Sequence, residues 1–296
     1  MADSSAVGDA LDVTTRIPPP VITAIRPTPR RGPRPQPRRA WIRTTPAPAG
    51  ARSMTGSRCY AGPSLTAGLY AAWVWGVVAA LAPVAWICLL TLRSERWRWR
   101  ALGAIARSLL ALIGVRVDVR APHNLPSETP FVAVANHASY LDGLILLSMM
   151  QRPVSFVVKA EFARYRYTLG LMMRRLGVIF VSRDTADTRR LIDAGKKGRP
   201  LVLFPEGRLE TSPRLEPFHK GAFVVAAHCG FPVVPLALRG TRDVLPPGSW
   251  RPRRARITVR IAQPIASQGP GSSAIDNLRA AVRSAIADSL DGPRRE

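Results

Sequence analysis

The sequence predicts an α/β domain with a largely parallel sheet flanked by helices, preceded by an N-terminal membrane-anchoring helical segment. Three observations predict it: a Pro/Arg-rich beginning, a long uncharged apolar run, and short β-rich runs that alternate with helical patterns from about Val115 onwards. Strands that alternate with helices are typical of a parallel sheet. We therefore divide the chain into residues 1–64, a disordered segment, residues 65–114, the anchoring helices, and residues 115–296, the α/β domain.

The first 64 residues are rich in proline, alanine, threonine and arginine. Ten arginines and no acidic residue or lysine occur between Arg16 and Arg58. Such a segment buries too little apolar surface to offset its ordering entropy, so we expect it to be disordered. It lacks the apolar stretch of a signal peptide near residue 1, and both an organelle transit peptide and a basic arm on anionic lipid fit it.

An apolar run follows, in which no charged residue occurs from Cys59 to Leu92. It predicts a helix over Leu65–Leu92, long enough to cross roughly 30 Å of hydrocarbon. The next helical pattern places four apolar residues on one face, which suits a helix lying in the membrane interface: Leu102, Ile105, Leu109 and Ile113. Together the two helices predict a membrane anchor, either a true span or a hairpin that dips into one leaflet.

Arginines occur just after the apolar run, between Arg93 and Arg100, and they alternate there with tryptophans. Positive charge beside a membrane helix favours the cytosolic headgroup layer. We therefore expect the protein on the cytoplasmic face of the inner membrane of a bacterium.

Seven strands and five helices are predicted after the anchor, from apolar runs and helical periodicity. The predicted strands are Val115–Val119, Phe131–Ala135, Val154–Val158, Val178–Val181, Leu201–Phe204, Val233–Leu238 and Ile257–Ile261. The predicted helices are Tyr140–Met150, Glu161–Leu171, Ala186–Ala194, Gly221–His228 and Ala274–Leu290. In a parallel sheet the ligand crevice lies outside the carboxyl ends of the strands, so candidate site residues are sought there.

The stretch VAVANHASYLDG follows the second predicted strand and contains His137 and Asp142. Ser139 and Asp142 have the spacing of a helix capping box, which alone would explain the aspartate. A cap does not explain His137. Because a capping carboxylate can also accept a hydrogen bond from an imidazole, the capping and catalytic interpretations are compatible.

Two further strands end in charged residues. GVIFVSRD places Arg183 after the fourth strand, and VLFPEGRLE places Glu206, Gly207 and Arg208 after the fifth. Arginine is suited to phosphate because it is planar, permanently charged and able to bind in a bidentate manner. If the sheet is parallel, these ends and the His137 loop converge on one crevice.

Four segments, NHASYLD, GVIFVSRD, FPEGR and VPLALRGT, occur in that order, and together they resemble the four blocks of the glycerophospholipid acyltransferase family. That family includes the 1-acyl-glycerol-3-phosphate acyltransferases, and the resemblance covers roughly residues 100–265. It implies that the α/β domain is an acyltransferase domain with His137 as general base and Asp142 orienting the imidazole. It also implies that Arg183 contacts phosphate, and that Glu206, Gly207 and Arg208 bind the glycerol-phosphate part of the acceptor.

The function implied is esterification of a lysophospholipid hydroxyl from an acyl thioester, most simply conversion of 1-acyl-glycerol-3-phosphate to phosphatidate. Many phosphatidate-forming members read Glu-Gly-Thr-Arg, whereas this chain reads Glu206-Gly207-Arg208-Leu209. Another lyso-lipid acceptor, such as lyso-ornithine lipid, therefore stays open. A non-catalytic membrane adaptor with a basic arm is the rival of another class, but it leaves the three strand ends unexplained.

The formal net charge of +24 indicates anionic partners. Seven arginines and one aspartate lie in residues 239–260, which suits anionic membrane lipid, the phosphates of coenzyme A or an acidic acyl-carrier protein. Acyl-CoA or acyl-carrier protein is the expected co-substrate, and no nucleic acid partner is expected. We expect no cofactor and no metal site, since the three cysteines and the remaining histidines show no ligand spacing.

Overall fold

Seven strands form one mixed sheet between layers of helices in the computed structural model. The structure describes residues 65–165, 169–182, 185–209 and 214–292. All described residues belong to one compact unit, Cys59–Glu296. The predicted disordered segment, residues 1–64, lies outside the described residues, and the predicted three-part division of the chain stays a prediction.

The strands are close to those predicted. They are β1 Arg116–Arg120, β2 Val132–Ala135, β3 Ser155–Lys159, β4 Ile179–Val181, β5 Leu201–Leu203, β6 Val233–Arg239 and β7 Arg256–Ile261. Their order in the sheet is β1-β7-β6-β2-β5-β3-β4. Every neighbouring pair is parallel except β6 and β7, which are antiparallel. The predicted fold class, a largely parallel sheet flanked by helices, is confirmed.

The helices are α1 Leu65–Thr91, α2 Glu95–Leu112, α3 Asp142–Met149, α4 Leu169–Arg175, α5 Thr185–Lys196, α6 Gly221–Cys229, α7 Thr241–Val244 and α8 Ser272–Asp291. Side chains alternate across the sheet, as strand geometry requires. Ala133 and Ala135 of β2 face the apolar core that includes residues of α1, α2 and α3. Val132 and Val134 face a second core formed with α5, α6 and α8.

The predicted helix Glu161–Leu171 is wrong as a single element. A 3₁₀ turn covers Ala160–Arg164, and α4 begins at Leu169. The backbone N–H of Gly170 donates to the carbonyl of Tyr165 at 2.9 Å, and a Cβ at Gly170 would lie 2.9 Å from the same oxygen. The close approach of two backbone segments at a glycine replaces a continuous helix here.

The first helix matches its prediction to within one residue, and it is long and apolar enough to cross a membrane. Only 22% of its most apolar window is buried, unlike the core helix of a soluble protein. The buried residues form one stripe along the helix: Ala71, Val74, Val77, Ala85 and Leu89. Most of its other apolar residues are exposed, and a few are half-buried: Tyr70, Val78, Leu81, Trp86 and Cys88.

The second helix differs from its prediction as an interfacial helix. Leu102 and Ile113, predicted to face lipid, are each 3% exposed because they pack into the protein. Trp99 is also buried, and its indole N–H donates to the carbonyl of Met150 at 3.2 Å. The apolar face of α2 is therefore covered largely by α1, α3 and the sheet.

Candidate active site

The candidate site lies at the carboxyl end of β2, near the middle of the sheet. β2 is flanked by β6 on one side and β5 on the other, and all three are parallel. The loops that follow them therefore emerge at the same edge, where α/β proteins bind their ligands.

Asn136 extends the pairing of β2 with β6 by one further residue. Its side-chain nitrogen donates to the carbonyl of Leu238 at 3.0 Å, and the N–H of Leu238 donates to its side-chain oxygen at 2.8 Å. These two bonds fix the chain immediately before His137. The sequence interpretation missed this residue, although a polar amide directly after an apolar strand was the available signal.

His137 and Asp142 form a hydrogen-bonded pair. The imidazole Nδ1 lies 2.9 Å from Oδ2 of Asp142, whose side chain is completely buried. The same oxygen accepts the backbone N–H groups of Ala138 at 2.7 Å and Ser139 at 2.8 Å. These donors stabilise an ionised carboxylate, and an ionised carboxylate accepts only, so Nδ1 carries a hydrogen.

One of the two bonds of the predicted capping box is present, since the carboxylate of Asp142 accepts the N–H of Ser139. The Ser139 hydroxyl oxygen accepts the N–H of Leu141 at 3.2 Å, whereas the N–H of Asp142 donates to the backbone carbonyl of Ser139. The regular helix α3 starts later than predicted, at Asp142, after a turn at residues 140–141. The Ser139 hydroxyl donates to the carbonyl of Leu245 at 2.8 Å and so ties this turn to the chain that follows α7. Asp142 therefore serves the turn and the histidine together.

The segment after β5 holds the histidine loop from the other side. Glu206 is buried, with 6% of its surface exposed, and its Oε1 accepts the backbone N–H of His137 at 2.9 Å. Phe204 stacks on the imidazole with ring centroids 4.2 Å apart. Gly207 has φ of +70°, and its N–H donates to the carbonyl of Phe204 at 3.1 Å, which closes a tight turn. Two predicted motifs, 69 residues apart, thus meet directly.

Two arginines were predicted to bind phosphate, and the structure describes one of them. Arg208 is exposed on the turn after Gly207. Arg183 lies outside the described residues. The strand that precedes it, β4, is separated from β2 by β5 and β3, a distance of roughly 14 Å across the sheet.

Lys159 is a cation that the sequence interpretation missed. It is the last residue of β3, the strand between β5 and β4, so it lies at the same edge as the His137 loop. A charged residue directly after the apolar run of β3 was the available signal.

The other three histidines are exposed, and His228 Nδ1 lies 2.8 Å from the carbonyl of Val224. Across the described ranges, no group of three histidine, cysteine, aspartate or glutamate side chains could hold a metal ion. The histidine–carboxylate pair offers acid–base chemistry at this edge. In the described part of the chain His137 makes no hydrogen bond through Nε2, and 23% of its side chain is exposed. A hydrogen on Nδ1 leaves Nε2 able to accept a proton.

Comparison with known proteins shows what the α/β domain resembles. Residues 116–239 match the family model described as Acyltransferase. A chloroplastic 1-acyl-sn-glycerol-3-phosphate acyltransferase of Brassica napus is 39% identical over 140 residues, which cover 45% of this chain and 40% of that protein. The corresponding chloroplastic protein of Arabidopsis thaliana is 36% identical over 183 residues, covering 60% of this chain and 49% of its own length. The chain thus spans about half the length of the curated relatives that it matches first.

A Saccharomyces cerevisiae 1-acyl-sn-glycerol-3-phosphate acyltransferase is 28% identical over 224 residues, covering 73% of this chain and 72% of that protein. The fold also resembles the crystal structure of the 1-acyl-sn-glycerophosphate acyltransferase of Thermotoga maritima. The TM-score is 0.67 at 20% identity, over 78% of this chain and 98% of that one. Residues 116–239 of this chain thus match an acyltransferase domain, and the described domain has the fold of that acyltransferase structure.

Proposed function

We propose that the protein is a membrane-bound acyltransferase that esterifies the free hydroxyl of a lysophospholipid from an acyl thioester. The leading acceptor is 1-acyl-glycerol-3-phosphate and the product phosphatidate. The observation that carries the proposal is the His137–Asp142 pair, held by Glu206 at the carboxyl edge of the sheet. The family match and the names of the relatives support the acceptor.

In the proposed reaction, Nε2 of His137 takes the proton of the acceptor hydroxyl while the hydroxyl oxygen attacks the thioester carbonyl. The new C–O bond forms, the C–S bond breaks, and the leaving thiolate takes the proton back from the imidazolium. Asp142 keeps the hydrogen on Nδ1 and stabilises the imidazolium. The donor is acyl-CoA or acyl-carrier protein, whose thiol leaves.

For the acceptor phosphate we assign the exposed Arg208, together with Arg183 and Lys159. Arg208 follows β5 and Lys159 ends β3, so both lie at the edge that carries His137. Glu206 is buried and bonded to the histidine backbone, so its contribution to acceptor binding is to hold this loop in place. Gly207 supplies the turn that brings Arg208 to the surface.

We further propose that α1 lies in one leaflet on the cytoplasmic side and does not cross the bilayer. Its buried stripe extends from Ala71 to Leu89, roughly 27 Å along the helix axis, and packs on the domain over that whole length. The adjacent α2 carries Arg98, which donates to the carbonyl of Leu92 after α1, and Arg107, which donates to that of Ser148 in the α/β domain. If α1 crossed the membrane, these charged elements would enter the hydrocarbon with it, which is costly.

The test is to incubate the membrane-reconstituted chain with labelled acyl-CoA or acyl-carrier protein and a panel of lyso-lipids, and to identify the product. We expect labelled phosphatidate from the wild-type chain. In His137→Ala we expect turnover to fall by roughly 10²–10⁴-fold with membrane association unchanged. Near wild-type turnover in the folded variant would refute the mechanism. Labelled product from lyso-ornithine lipid alone would show that this lipid, and not 1-acyl-glycerol-3-phosphate, is the acceptor.

A further inference from the structure

An exposed basic and aromatic loop packs against the first turns of α1. This loop, residues 246–255, connects α7 to β7 and is called the Trp250 loop below. Trp250 is 62% exposed, and the guanidinium of Arg251 lies over its ring, 5.0 Å from the centroid. Arg253 and Arg254 follow and are exposed as well.

The Trp250 loop is continuous with the exposed apolar surface of α1. The indole N–H of Trp75 donates to the carbonyl of Trp250 at 2.9 Å, and the guanidinium of Arg254 lies 5.1 Å from the ring centroid of Tyr70. The neighbouring side chains of α1 are strongly exposed, with Leu69 at 70% and Trp73 at 53%. One surface therefore combines large apolar side chains with three guanidinium groups.

The three arginines of the loop differ from the arginines that stabilise the fold. Arg98 donates to the carbonyls of Leu92 and Arg93, and Arg107 donates to that of Ser148, so each holds a helix end. Within the ranges that the structure describes, no carboxylate forms an ion pair with Arg251, Arg253 or Arg254. Their charge is thus uncompensated at the surface and available to an anion.

We propose that the Trp250 loop is a second membrane contact that binds the phosphates of anionic lipid headgroups while Trp250 enters the interface beside α1. Arginine suits phosphate, and tryptophan is favoured at the boundary between headgroups and acyl chains. An acidic carrier protein would also be attracted by the charge. The lipid is favoured because Arg251 lies over an exposed indole and the loop adjoins the uncharged, exposed surface of α1, which suits the hydrocarbon of a bilayer. The proposal rests on the proposed membrane location, and it fixes which edge of the domain faces the headgroups.

The test compares the binding of the full chain to phosphatidylcholine vesicles with and without phosphatidylglycerol, measured by sedimentation. The triple variant Arg251→Gln, Arg253→Gln, Arg254→Gln should lose most of the gain from phosphatidylglycerol, on the order of a hundredfold for three surface arginines. Its binding to phosphatidylcholine alone should be unchanged. Trp250→Ala should weaken binding to both kinds of vesicle, by roughly tenfold or more.

A matched control removes the same charge from the opposite face of the sheet. Arg189→Gln, Lys196→Gln, Lys197→Gln changes three exposed cations on α5 and the turn after it, and α5 packs on the other core. This control should keep the full response to phosphatidylglycerol. Equal losses in both triple variants would overturn the proposal, because only the net charge would then matter.

Two further outcomes would also overturn it. One is an unchanged phosphatidylglycerol response in the Trp250-loop variant. The other is a Trp250-loop variant that keeps the phosphatidylglycerol response but no longer binds a purified acidic acyl-carrier protein. That result would make the loop a protein-docking surface. Vesicle binding needs no turnover, so failure of the proposed reaction would leave this measurement interpretable. Acyl transfer in detergent micelles, measured in parallel, should be similar in wild type and both triple variants.

Discussion

Asp142 performs two tasks through one oxygen atom. Its Oδ2 accepts His137 Nδ1 and the two backbone N–H groups of the turn, so the residue both caps and orients. The two tasks can be separated by variants. Ser139→Ala removes the other half of the cap and leaves the carboxylate in place.

For Asp142→Asn we expect turnover to fall by roughly 10²–10⁴-fold, because an amide no longer stabilises the imidazolium. For Ser139→Ala we expect a loss of stability of about 1–3 kcal/mol, since the turn loses its cap and the carbonyl of Leu245 loses its donor. Its kcat should change little. Steady-state kinetics and thermal unfolding of both variants measure the two effects, and a purely thermal effect in Asp142→Asn would leave Asp142 as a cap only.

Glu206 offers a sharper distinction between positioning and substrate binding. Its carboxylate Oε1 accepts the backbone N–H of His137, and the amide oxygen of a glutamine can accept the same hydrogen bond without carrying charge. If Glu206 holds the loop, Glu206→Gln should retain kcat to within roughly tenfold. In Glu206→Ala kcat should fall by roughly ten- to a hundredfold, which corresponds to the loss of one hydrogen bond to a charged group.

The kinetic constants of the two variants decide between the roles. A positioning role lowers kcat in Glu206→Ala and spares KM for the acceptor. A large rise in KM in both variants alike would instead show that the charge contacts the acceptor.

At the level of the elements, the strands were predictable because each is a short apolar run bounded by polar or turn residues. The contact between Glu206 and His137 was predictable only in part. The sequence indicated that both follow strands of a parallel sheet, but not that β5 lies next to β2 while β4 lies three strands away. Strand order is decided by packing across the whole domain, which a local pattern does not contain. The break between the 3₁₀ turn and α4 was missed because residues 161–171 have a helical pattern, which does not reveal the close approach of the Gly170 backbone to the carbonyl of Tyr165.

Arginines recur as caps of helix ends, and this accounts for part of the unusual charge. Arg98 binds carbonyls at the end of α1, Arg107 binds one at the end of α3, and Arg239 binds the carbonyl of Gly292 just after α8. Helix carboxyl ends expose unpaired carbonyls and a partial negative charge, which a guanidinium satisfies. The charge of these three arginines is thus structural and does not require an external anion.

Gly240 is the residue that lies between β6 and α7, and it adopts a φ of +86°. A Cβ at this position would lie 2.2 Å from the carbonyl oxygen of Arg256, a contact that requires the backbone to move. We expect Gly240→Ala to lower the unfolding free energy by clearly more than the roughly 1–2 kcal/mol that a left-handed conformation costs.

Gly248→Ala is the matched control for Gly240. Gly248 has φ of +75°, and a Cβ there meets nothing within 4 Å, so the change incurs only the conformational cost. Chemical denaturation of both variants gives the difference. If both variants lost the same unfolding free energy, the backbone at Arg256 would have moved to accommodate the Cβ at Gly240 without cost.

At the scale of the whole molecule, the exposed surfaces of α1 and the Trp250 loop adjoin, and in our proposal they form the side that faces the membrane. Exposed apolar residues occur along α1 from Leu65 to Leu90, and Trp250 lies beside its first turns. The His137 site lies at the carboxyl edge of the same sheet that α1 and α2 cover. In the proposed arrangement the molecule would receive a lipid acceptor from the leaflet on which it rests, while a water-soluble thioester would reach it from solution.

The position of α1 can be tested by cysteine labelling with a membrane-impermeant maleimide, after the native cysteines Cys59, Cys88 and Cys229 are replaced by serine. Leu65→Cys and Ser94→Cys mark the two ends of α1, where both native side chains are exposed, and Lys197→Cys marks the α/β domain. A helix that lies in one leaflet presents both ends on the side of the domain. We therefore expect all three cysteines to react in inside-out vesicles and none in right-side-out vesicles. Labelling of Leu65→Cys from the opposite side to Ser94→Cys would show that α1 crosses the bilayer, and the packing of α1 along the domain would then have to open in the membrane.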